Sequence, residues 1–122
     1  MQPEERDAGC ILDAIKAGRG IASFLRGVAY ERYIADDRTR LAVERALTII
    51  GEATKRLSGP FRLAHPEIPW PQIVGLRNVL MHEYDEIDNR RIFVIATELV
   101  PDLVARLTAL LPPLPSDPEP EP

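Results

Sequence analysis

Arg77, Asn78, His82 and Tyr84 form an R-N-x3-H-x-Y pattern. An always-charged guanidinium, a side chain that titrates near neutral pH and a phenol together suit chemistry on a phosphate. In that chemistry a neutral His82 acts as general base on a ribose 2′-hydroxyl. Arg77 stabilises charge building on the phosphate oxygens, and Asn78 orients His82 or the phosphate. The chain holds only two histidines and one cysteine, and no Cys/His cluster has zinc spacing, so the expected chemistry is independent of metal.

A helical wheel limits how these groups meet. With Ile73, Leu76 and Leu80 on the core side, Arg77 lies at its edge, and His82 is turned about 140° from Arg77 on one continuous helix. Asn78 and His82 are four apart and share the outward face. One site can use both Arg77 and His82 if the helix unwinds near His82, or if a second copy brings its own motif alongside. Taken alone, the pattern favours a plainer arrangement, with Arg77 paired to Glu83 or Asp85 and His82 on a solvated helix end. Tyr84 is then a boundary tyrosine packing its ring on the bundle.

The elements that must position these residues are helical. The chain has 122 residues, 45% of them hydrophobic and only 6% aromatic, which predicts one domain with an aliphatic core. A first helix is expected from about Glu4 to Arg26, weakened by Gly18 and Gly20. A connector with Tyr30 and Tyr33 follows, with Asp36 or Asp37 as N-cap of a second helix from Arg38 to Leu57. Gly51 inside that helix suggests a close helix–helix approach. Ser58-Gly59-Pro60 ends it, and Trp70 is expected to anchor the proline-rich 65–71 segment. A third helix is predicted from Pro71 to about Met81. A fourth, capped by Asp88, carries Ile92, Ala96, Leu99, Val100, Leu103, Leu107 and Leu110, with a kink expected at Pro101. The reading is an all-α, antiparallel up-down four-helix bundle over residues 1–111. Residues 112–122, rich in proline and acid, are expected to form a disordered tail.

Charge and hydropathy narrow the setting. No apolar run is long enough to span a membrane, and the acidic N-terminus is unlike a signal peptide, so a cytoplasmic location is expected. The net charge is −4, and the tail's Asp117, Glu119 and Glu121 account for all but one of it. The acidic balance is therefore a weak objection to a nucleic-acid substrate. Among the remaining residues, His65 and Cys10 read as structural, and Arg90-Arg91 as a solvated charge pair. Glu52 reads as a paired structural carboxylate, or as support for Arg77 and His82 from behind the site.

Larger segments carry a resemblance. Ile49-Ile50-Gly51-Glu52-Ala53-Thr54-Lys55-Arg56-Leu57, His65-Pro66-Glu67-Ile68-Pro69-Trp70, Gly75-Leu76-Arg77-Asn78 and His82-Glu83-Tyr84 occur in the order and spacing of the HEPN superfamily. The chain resembles its HepT-like toxin branch from about Asp7 to Leu111. The resemblance implies a HEPN-like bundle that forms a homodimer and brings two R-x4-H motifs into one cleft. It implies a metal-independent endoribonuclease with Arg77 and His82 catalytic, Asn78 supporting, RNA as substrate and no cofactor on this chain. The implied partner is a nucleotidyltransferase antitoxin that uses ATP to place AMP on Tyr84. The phenol is an available nucleophile, and an adenylate there adds charge and bulk where RNA phosphate binds. Glu83 departs from the glycine expected between the His and the Tyr. With Asp85 and Glu86 it puts negative charge near the proposed phosphate site, which weakens RNA binding or raises the His82 pKa. A non-catalytic HEPN module that binds nucleotide or partner is the alternative, and a plain helical scaffold is the third.

Overall fold

The computed structural model describes residues 3–80 and 88–111. His82, Tyr84 and residues 112–122 lie outside the described residues, as do Glu83, Asp85 and Glu86. Helix α1 (Pro3–Phe24) packs against α3 (Asp37–Lys55), with the short α2 (Tyr30–Ala35) in the connector between them. After α4 (Gly59–Ala64), two short helices, α5 (Trp70–Val74) and α6 (Leu76–Leu80), lie against α3. The last helical run is α7 (Asn89–Val94), a π-helical turn (Ile95–Leu99) and α8 (Val100–Leu110), which returns onto α1. No strand occurs among the described residues. The all-α bundle expected from periodicity is the observed fold, and no described helix is long and apolar enough to cross a membrane.

The start signals sit where local chemistry requires them. Asp36 caps α3, its carboxylate accepting from the Arg38 and Thr39 amides at 3.1 and 3.2 Å and from the Thr39 hydroxyl at 2.8 Å. Those hydrogen bonds, led by the Thr39 hydroxyl, hold its pKa below the usual carboxylate value. Ser58 caps α4, and Asp88 caps α7 by accepting from the Arg91 amide at 3.1 Å. The core is aliphatic: Ile11, Ile21, Val43, Leu47, Ile50, Ile73, Ile92 and Leu107 are all buried. Trp70 anchors its segment as expected. It is buried, and its indole N–H donates to the carbonyls of His65 at 2.9 Å and Arg62 at 3.2 Å.

Two expectations change. The third helix is not continuous: it breaks at Gly75, whose carbonyl accepts from both Asn78 at 2.9 Å and Val79 at 3.3 Å. The bond from Asn78 back to the third residue before it is the tighter turn of a 3₁₀ geometry, just before the segment that carries Arg77 closes into α6. Around Pro101 the disturbance takes the form of the π turn just upstream. The Val100 amide reaches back to the Ile95 carbonyl, while Pro101, without an N–H, sits in the first turn of α8. Arg90 and Arg91 are both exposed, as expected, and the Arg90 guanidinium also lies 4.1 Å from the centre of the Tyr30 ring.

Candidate functional site

Gly51 marks where the two walls of the site meet. It is buried in α3, and a Cβ there would stand 3.5 Å from the Ile73 carbonyl oxygen and 3.7 Å from the Arg77 amide nitrogen, ordinary contact distances. The backbone of α3 thus packs directly on the backbone of the α5–α6 segment. The close approach expected from Gly51 is the observed contact.

Beside this crossing is a cavity of about 390 Å³ lined by Gly51, Glu52, Lys55, Val74, Arg77 and Asn78. Its two walls come from different parts of the chain. Glu52 and Lys55 project from the last turns of α3, and Arg77 and Asn78 from the first turn of α6. All four polar residues are exposed, so the cavity opens outward from the core formed by Ile73 and Leu76. Two cations and one carboxylate around a concavity make it locally positive, although the chain is acidic overall.

The structure therefore brings Arg77, Asn78 and Glu52 together. Glu52 lines the same cavity as Arg77, from a different helix. Lys55 was not singled out from sequence. The only available signal was its place one turn after Glu52, on the same side of α3. The positions of His82 and Tyr84 relative to this cavity fall outside the described residues. Other residues take plainer roles. His65 Nδ1 stands 3.5 Å from the Glu67 carboxylate and its ring packs on Phe61, while Cys10 is buried in the core. A larger groove of about 590 Å³ between α1 and α3, floored by Ala17, Ala46, Phe24 and Ile49, contains none of the candidate residues. No group of three or more metal-ligating side chains occurs among the described residues.

An α-helical bundle with an Arg-Asn pair presented across a close helix crossing defines the class of molecule. The comparisons with known proteins narrow it. Residues 14–110 match the family model described as Ribonuclease HepT-like, and the chain belongs to that family. It is 37% identical over 100 residues to a Methanocaldococcus jannaschii protein that carries an RNase name, covering 81% of this chain and 92% of that protein. It is also 37% identical over 98 residues to a Thermococcus cleftensis protein named "Probable ribonuclease HepT", covering 80% and 89%. A third RNase-named protein, from Caldanaerobacter subterraneus subsp. tengcongensis, is 34% identical over 87 residues, covering 71% and 78%. No solved structure matches the chain.

Proposed function

We propose that this chain is a HepT-like toxin, a metal-independent endoribonuclease whose R-x4-H site is completed at a homodimer cleft. The observation that carries this reading is the shared cavity of Arg77, Asn78, Glu52 and Lys55, in a chain of the ribonuclease HepT-like family. His82 takes the proton from a ribose 2′-hydroxyl. The 2′-oxygen bonds to the adjacent phosphorus, the bond from phosphorus to the 5′-oxygen breaks, and the proton taken up by His82 is returned, directly or through water, to that oxygen, giving a cyclic phosphate and a 5′-hydroxyl end. Arg77 stabilises the charge on the non-bridging oxygens during this step, and Asn78 positions the phosphate or His82. Glu52 orients the Arg77 side of the site. The outward opening of the cavity supports completion by a second copy.

Control follows from Tyr84. A nucleotidyltransferase antitoxin directs the phenol oxygen onto the α-phosphorus of ATP, and pyrophosphate leaves. The resulting O-AMP-tyrosine puts a phosphate where the RNA backbone must lie.

Two experiments test this reading. Purified, antitoxin-free protein in EDTA is expected to cut total RNA into discrete fragments, and Arg77→Ala and His82→Ala to leave it intact while remaining folded. Intact RNA from a well-folded wild-type dimer would point instead to a binding module. Co-expression with the antitoxin is expected to add AMP mass to the peptide holding Tyr84. An unmodified peptide beside an active antitoxin would reject the control mechanism.

A further inference from the structure

Lys55 is unexplained by the chemistry assigned to Arg77, Asn78 and His82. It closes α3, and its neighbour Arg56 turns the other way, toward Asp13 of α1 at 3.8 Å. Lys55 turns instead toward α5–α6 and lines the cavity opposite Arg77. Glu52 is one turn before it, yet among the described residues Lys55 makes no ion pair within 4.0 Å. An exposed lysine is ordinarily a solvated charge. This one lines a concave site together with a second cation and an asparagine.

We propose that Lys55 anchors single-stranded RNA by a backbone phosphate neighbouring the one under attack. The inference rests on the ribonuclease reading and names the part of the site that holds substrate. The two cations border one cavity from different helices, α3 and α6, so we assign them to two successive phosphates. The division of labour follows from their chemistry. Arg77 presents a planar fork suited to fixed geometry at the reacting group. Lys55 is a point charge on a flexible stem, which holds a phosphate without reading a base. Lys55 is a binding residue here and takes no part in proton transfer.

The test measures binding and cleavage side by side. A fluorescein-labelled 2′-O-methyl RNA oligonucleotide of mixed sequence cannot supply the attacking hydroxyl, so it reports binding alone. By anisotropy, Lys55→Gln is expected to weaken binding about fivefold at low salt and to lower the salt slope by about one. Lys55→Arg is expected to restore both. On cleavable RNA, Lys55→Gln raises KM and leaves kcat near wild type. Wild-type slope and KM in Lys55→Gln, with the wild type cleaving normally, would overturn the anchor and leave the ribonuclease reading intact. Loss of the dimer in Lys55→Gln by light scattering would also overturn it, assigning Lys55 to an interface between copies. A wild-type protein that neither binds nor cuts RNA would overturn both.

Discussion

Tyr33 is 0% exposed, and its hydroxyl has no hydrogen-bond partner among the described residues. Burial pushes its pKa up to about 12, with Glu44 adding to the rise and Arg40 opposing it. The folded state therefore holds this proton more tightly than the unfolded chain does. Its contribution is fully present below pH 10 and is lost as pH rises from 10 to 12, by about 2 kcal/mol. Urea unfolding across that range is expected to show the decline in the wild type and a shallower one in Tyr33→Phe. Because the phenylalanine buries no unpaired hydroxyl, it should be at least as stable as wild type at pH 7. Identical slopes in the two proteins would refute the assignment. Asp7 is the opposite case, a 6% exposed carboxylate that is fully engaged. It accepts from the Ser58 amide at 2.8 Å and from the Ser58 hydroxyl at 2.7 Å, tying α1 to the cap of α4. Asp7→Ala strands both donors and should cost about 1–3 kcal/mol in chemical denaturation. A change within about 0.3 kcal/mol would mean that water replaces the carboxylate at no cost.

At the scale of elements, the glycines of α1 gain a meaning that propensity alone did not suggest. Gly18 sits where α1 crosses α8, and a Cβ there would overlap the Val104 side chain and lie 3.3 Å from Val100. The glycine weakens its helix and permits the crossing. Gly18→Ala is expected to lower stability by about 1–3 kcal/mol through overpacking, despite the better helix former. Adding Val104→Ala should recover part of that loss, and a thermal-melt cycle with no coupling between the two would remove the steric explanation. Elements also show where sequence reading stops. Caps at Asp36 and Asp88 were legible because a side chain and amides two or three residues away decide them, whereas Ser58 read only as the end of α3 and not as the cap of α4. The break at Gly75 was not legible, because Ile73, Leu76 and Leu80 keep helical spacing across it. The π turn before Pro101 was only half legible. The missing donor is a property of proline, but where the helix absorbs it depends on packing against α1.

At the scale of the whole molecule, the proposed site is a composite of two copies. Arg77 and His82 would point about 140° apart on one ideal helix, and a two-fold axis is the proposed means of bringing one protomer's Arg77 beside its partner's motif. Light scattering at tens of micromolar is expected to report a dimer, and a monomer would count against the composite cleft. A sharper test mixes Arg77→Ala protein with His82→Ala protein. If each cleft draws on both copies, exchange of subunits restores part of the RNA cleavage that either variant lacks. No recovery, with exchange confirmed by mass, would place each site within one protomer.

The sequence by itself determined the helical class, most helix ends, the aliphatic core and the candidate pair Arg77 and Asn78. These follow from interactions within a turn or two of helix and from a periodicity that survives in any context. Only the tertiary structure decided what stands opposite that pair. Glu52 and Lys55 reach it where α3 packs on the α5–α6 segment at Gly51, a contact between segments more than twenty residues apart. The partner of Asp7 lies 51 residues away, and the ring beneath Arg90 belongs to α2. Such pairings depend on how helices cross, and a crossing is set by shape complementarity over the whole core, which no local pattern encodes.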